Sequence, residues 1–137
     1  MTYTMSEGLQ RAVYQRLSDD VDVASLVGSA IFDAAPAIPP DLFVALGPEK
    51  VRSLTDATGR GAVHEVQISV VTRQNGYSGA KALAAAISAA LEDAPLPMSR
   101  GRVVSIRFLR AQARRDEGEA IRRIDLWFRA RLDESAA

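Results

Sequence analysis

The stretch from His64 to Leu91 constrains the fold more than any other part of this chain. Val66, Ile68 and Val70 alternate with Gln67, Ser69 and Val71, which is the two-residue period of a half-buried strand. Gln74-Asn75-Gly76-Tyr77-Ser78-Gly79 follows as a turn, because Asn-Gly tolerates positive φ and Ser78 can cap the first donors of a helix. In the alanine-rich run after it, Leu83, Ile87 and Leu91 recur at i, i+4 spacing and form a slim apolar stripe. A long strand with a helix laid over it gives the rest of the chain a surface to pack against.

The remaining segments can be read in order. Ser6-Glu7 opens a first helix, with Ser6 as the capping side chain and Leu9, Val13 and Leu17 on its buried stripe. Asp22 caps a single turn from Val23 to Val27, stopped by Gly28. Ala30-Ile31-Phe32 is a short strand, and Leu42 to Leu46 is a second, closed by Gly47-Pro48. From Glu49 to Gly61 the chain turns polar and reads as a long irregular loop, of the kind that orders on assembly.

Two strands close the chain. From Val103 to Gln112, Val104, Ile106 and Phe108 share one face, while Arg107 and Leu109 share the other. From Ile121 to Leu132, Ile124, Leu126, Phe128, Ala130 and Leu132 face inward; Arg123, Asp125, Trp127, Arg129 and Arg131 face out. Asp116-Glu117-Gly118-Glu119 reads as the hairpin tip between them. The order predicts an α+β fold: a mostly antiparallel sheet of about four to five strands, two main helices packed on one face, and the long loop. Residues 1–137 read as one domain, with 1–5 and 133–137 as loose ends.

Composition removes several classes of function. The 137 residues carry no cysteine, which excludes a disulfide scaffold and a thiolate metal site, and one histidine cannot build a histidine pair. No apolar run approaches the roughly 20 residues of a membrane span. The N-terminus lacks the basic region and apolar core of a secretory signal. Formal net charge is zero, yet the charge is segregated. Asp19, Asp20, Asp22, Asp33 and Asp41 crowd the N-terminal part, while most arginines follow Pro97. Such a polarity suits head-to-tail contact between copies.

Catalytic patterns are missing. His64 has no serine or acid at triad spacing and reads as a polar residue at a strand end. Asp19-Asp20-Val21-Asp22 lacks the order of a calcium loop, and Gly59-Arg60-Gly61 lacks the lysine and helix start of a phosphate loop. Asp125 reads as a cross-strand ion-pair partner. No catalytic, metal-binding or cofactor-binding residue is therefore expected. Arg107, Arg122, Arg123, Arg129 and Arg131 around Trp127 have the composition of a protein–protein hot spot. A non-specific nucleic-acid-binding module using that same face is the alternative. The interleaved acids and the absence of a recognition helix favour the protein contact.

Several segments together resemble a known family. They are Met5-Ser6-Glu7-Gly8-Leu9-Gln10 onward to Leu17, Leu26-Val27-Gly28 leading to Ile31-Phe32-Asp33, and Phe43-Val44-Ala45-Leu46-Gly47. The match continues through Val66 to Thr72, Gly76-Tyr77-Ser78-Gly79-Ala80-Lys81, and Arg123-Ile124-Asp125-Leu126-Trp127-Phe128-Arg129-Ala130. This pattern resembles the small tail-completion and tail-terminator proteins of long-tailed phages and gene transfer agents. The resemblance implies a structural virion subunit, assembled in the bacterial cytoplasm, that forms a hexameric ring. That ring would cap the major tail tube protein and join it to the head connector, in weak non-specific contact with DNA passing through. It implies no enzyme activity, no cofactor and no membrane. Arg52, Arg60, Arg107, Arg123, Trp127, Arg129 and Arg131 are the expected subunit or partner interface.

Overall fold

In the computed structural model, which describes residues 3–56, 59–116 and 120–134, the strand–turn–helix core forms as its periodicity dictates. Strand β3 (Gly59–Thr72) is followed by helix α3 (Ser78–Leu91), whose Leu83, Ile87 and Leu91 are fully buried. Helix α1 (Ser6–Asp19) buries Leu9, Val13 and Leu17 beside it, and the short helix α2 (Val21–Val27) contributes Val23. Strands β1 (Ile31–Phe32), β2 (Leu42–Asp56), β4 (Arg102–Arg115) and β5 (Arg122–Asp133) complete a five-stranded sheet in the order β1-β2-β3-β5-β4. Among the described residues only β1 and β2 pair in parallel; the other ladders are antiparallel. The fold is α+β, with the helices joined to one face of the sheet in a single apolar core. Each fully buried Leu or Phe, such as Leu9, Leu17 and Phe128, stabilises that core by roughly 1.5–3 kcal/mol.

Among the described residues, the span from Glu49 to Gly61 expected as a long irregular loop is paired strand instead. Strand β2 does not stop at Gly47-Pro48 but continues, paired with β3, from Glu49↔Val66 to Asp56↔Gly59. The segment looked like a loop because its polarity breaks the alternation. Polar residues outnumber apolar ones there, yet pairing with β3, whose Ala62, Val63 and His64 are buried, holds the segment extended. The ladder carries a bulge between Leu46 and Glu49, where Gly47 and Pro48 together oppose Gln67.

Helix starts also differ from expectation. Ser6 makes no capping hydrogen bond; its hydroxyl instead donates to Glu49 on β2. Asp20, not Asp22, caps α2, accepting from the Val23 amide at 3.0 Å, while Gly28 ends that helix with φ of 60°. Ser78 is the first helical residue of α3 and provides no side-chain cap. In β4 the even alternation fails: Ile106 is buried, but Val104 and Phe108 are 43% and 42% exposed. Bulges between Val103 and Ser105 and between Phe108 and Arg110 break its register. Met5, assigned to a loose end, is buried, and Thr4 donates to Glu134 at 2.8 Å. Residues 117–119 of the second hairpin tip lie outside the described residues; Asp116 closes toward it by donating its amide to the Ile121 carbonyl at 3.0 Å.

Candidate functional site

The sheet face turned away from the helices is built in cross-strand rows. Arg131 lies between Val63 and Ser105, Arg129 between Glu65 and Arg107, and Trp127 between Gln67 and Arg110. Asp125 then lies between Ser69 and Gln112, and Arg123 between Val71 and Arg114. On the β2 side, Arg52 pairs with Val63 and Lys50 with Glu65. The tertiary fold therefore gathers Arg52, Arg107, Arg123, Trp127, Arg129 and Arg131 on one face. Arg60 belongs to β3 opposite Thr55, and its side chain lies outside the described part.

Bulges select which cations reach this face. With uninterrupted alternation from Leu46, Lys50 and Arg52 would point toward the helices. The extra residue at Gly47-Pro48 turns both outward. In β4 the irregularity after Phe108 likewise sends Arg110, Gln112 and Arg114 to the outer face. Sequence reasoning missed Lys50, Arg110 and Arg114 for this reason. Trp127 as the neighbour of a cation was legible; which cation was not.

Much of the charge is neutralised within the chain. Arg114 Nε donates to Asp125 at 3.3 Å and its Nη1 to Asp116 at 2.8 Å, while Arg123 Nε reaches Asp116 at 3.2 Å. Arg129 donates to Glu65 at 3.4 Å, and Arg107 pairs with Asp93 at 3.8 Å. Asp125 is 4% exposed and also accepts from Ser69 Oγ at 2.7 Å, which confirms its expected cross-strand role. The Arg110 guanidinium stacks 3.9 Å from the centroid of the Trp127 ring. Those two side chains, with Pro48, Lys50, Glu65 and Gln67, line a shallow groove.

His64 is the second feature that sequence reasoning misplaced. It is completely buried on the helix side of the sheet, with Nδ1 3.6 Å from Glu49 and no hydrogen-bond partner among the described residues at either ring nitrogen. Since β3 begins at Gly59, His64 is not at a strand end but inside the strand, on its core-facing side. Burial holds its pKa below the ordinary histidine value despite the nearby Glu49. Burial alone would raise the Glu49 carboxyl, but hydrogen bonds from Ser6 and Tyr3 and the proximity of His64 outweigh it and leave it below the usual carboxylate value. The cluster ties the start of α1 to the sheet. His64 is closed off, while Glu49 is only partly buried and lines a small apolar pocket with Leu9, Val13 and Val66. Among the described residues no group of three or more His, Asp or Glu is placed to hold a metal ion.

The geometry thus defines a class first: an α+β protein with a charged strand face opposite its helices. The chain matches the model of the tail completion protein gp17 family over residues 11–133, and it belongs to that family of structural virion tail proteins. Of 21 matching chains in solved structures, one from the virion of native gene transfer agent (GTA) particle is 52% identical to it. That match has a TM-score of 0.90 and covers 96% of this chain and 99% of the other. No curated protein matches. The resemblance read from the sequence holds at the level of the family.

Proposed function

We propose that this chain is a tail terminator: one subunit of a hexameric ring that caps the tail tube and joins it to the head connector. The observation that carries this reading is the 52% identity, over nearly the whole of both chains, to a chain of a gene transfer agent virion. The fold supports it physically. A closed ring of identical copies needs heterologous contacts, in which one patch meets a different patch on the neighbour. The internally neutralised part of the strand face, with Arg107, Arg123 and Arg129, is one such patch. It adjoins the β4 edge, which exposes Val104, Phe108 and Leu109. Exposed apolar side chains rimmed by arginines are what a protein contact requires. In this reading residues 1–137 act as one domain, no cofactor takes part, and the role is assembly rather than catalysis.

Light scattering of the purified protein, alone and mixed with its tail-tube subunit, tests the proposal. A hexamer in either sample is the expected result. A monomer that ignores the tube protein at assembly concentrations would overturn it.

A further inference from the structure

Two exposed features of complementary chemistry remain without a partner: a proline-rich loop at one edge of the sheet, and the groove around Trp127. Residues 33–41 join β1 to β2 and belong to no helix or strand. The ends of this loop are fixed, because Phe32 pairs with Ala45 and the Arg73 amide donates to the Asp41 carbonyl at 2.8 Å. Between them Ile38 is 88% exposed, more than any other large apolar side chain among the described residues. Pro36, Pro39 and Pro40 fix φ and remove three backbone donors, so the segment is stiff. Asp33 and Asp41 frame it, both exposed and without an ion pair among the described residues.

The groove supplies what such a segment lacks. Trp127 is half-buried and leaves part of its ring beside Pro48 as an apolar centre. Lys50 and Arg110 line the same groove without an acid partner among the described residues, Arg110 held flat on the Trp127 ring. Glu65 lies among them, but it is engaged by Arg129 at 3.4 Å, and Glu49 accepts from Ser6. Stiff proline-rich segments dock on aromatic-lined grooves at low entropic cost, and carboxylates at their ends meet cations at the rim. We propose that the loop 33–41 of one copy docks in the Lys50–Arg110–Trp127 groove of a second copy. Ile38 and its flanking prolines then cover Trp127, while Asp33 and Asp41 face the cations.

A second copy fits because in its own chain the loop leaves Ile38 in solvent. The loop follows β1, the edge strand, whereas the groove lies on the outer face where β2, β3, β5 and β4 run side by side. Two different patches therefore meet, each copy keeps one of either kind free, and the contact repeats from copy to copy. This inference rests on the ring reading and names the patch that the strand face meets.

Trp127 is the only tryptophan of the chain, so its fluorescence reports the groove directly. A peptide of residues 31–42, titrated into the full chain, should shift that emission with a dissociation constant of about 1 mM or below. Binding should weaken at least about tenfold when the peptide carries Ile38→Asp, or when the chain carries Lys50→Glu. Ile38→Asp in the full chain alters a side chain already in water, so its melting curve should not move. In whichever sample forms the hexamer, that variant should weaken assembly at least about tenfold. An emission unmoved by the peptide, or equal binding with and without Ile38→Asp, would overturn the docking even where the hexamer forms. A shift with the tail-tube subunit and none with the peptide would overturn a second copy as the occupant. Selective peptide binding by a chain that stays monomeric beside the tube subunit would overturn the ring reading and leave the loop–groove contact standing.

Discussion

Asp125 is a carboxylate taken almost wholly out of water, and it is retained because Ser69 and Arg114 satisfy its oxygens. Replacing it with Ala strands those donors, and the expected cost is about 2 kcal/mol, read as a lower urea midpoint. His64 makes a different statement. It is held neutral when folded but protonates at its ordinary value near 6.5 when unfolded. Below that value the unfolded chain binds the extra proton, so stability is complete above it and falls as pH drops. Glu49, lowered from 4.5, adds a further loss at lower pH, when its carboxylate protonates and releases Ser6. The urea midpoint at about pH 5 should therefore lie below that at about pH 7.5, and His64→Leu should narrow the gap. An unchanged gap in that variant would show that His64 is not the group responsible.

At the scale of elements, the bulges decide which residues each strand presents. Deleting Pro48 removes the extra residue but keeps Glu49, Val51 and Ser53 opposite Val66, His64 and Ala62. That variant should fold with a loss below about 1 kcal/mol. Deleting Lys50 instead reverses every later side chain of β2, turning Val51 outward and Arg52 toward the helices. It should be markedly less stable by urea denaturation, and equal stability of the two deletions would refute the register argument. Gly101, ahead of β4, has φ of 65°, and a Cβ there would lie 2.6 Å from the Asp133 carbonyl oxygen and 2.6 Å from Met5. Gly101→Ala should cost about 2 kcal/mol or more, because backbone that cannot yield meets a conformation disfavoured for alanine.

At the scale of the whole molecule, the chain is neutral but its outer sheet face is rich in cations. Arg107→Glu with Arg129→Glu reverses charge where the ring contact is proposed. Exposed ion pairs contribute about 0–1 kcal/mol, so the subunit should still melt near its original temperature. The hexamer signal in light scattering, or the yield of joined particles, should fall. Normal particles carrying both changes would place the contact elsewhere.

The sequence by itself determined what depends on local periodicity. The strand through Val66, Ile68 and Val70, the α3 stripe, and the outward set Arg123, Asp125, Trp127, Arg129 and Arg131 all follow from periods of two and about four along one segment. The likeness to tail completion proteins was legible in those same segments. Tertiary structure alone decided the β2–β3 arm, the depth of His64 and the partners of Trp127. A bulge is a mismatch between two strands, so no single strand's composition announces it, and it reverses the face of every residue beyond it. Depth is likewise set by what packs above: α1 lays Ser6 against Glu49 and helps bury His64, a neighbour 58 positions away in sequence from Ser6 but adjacent in the fold.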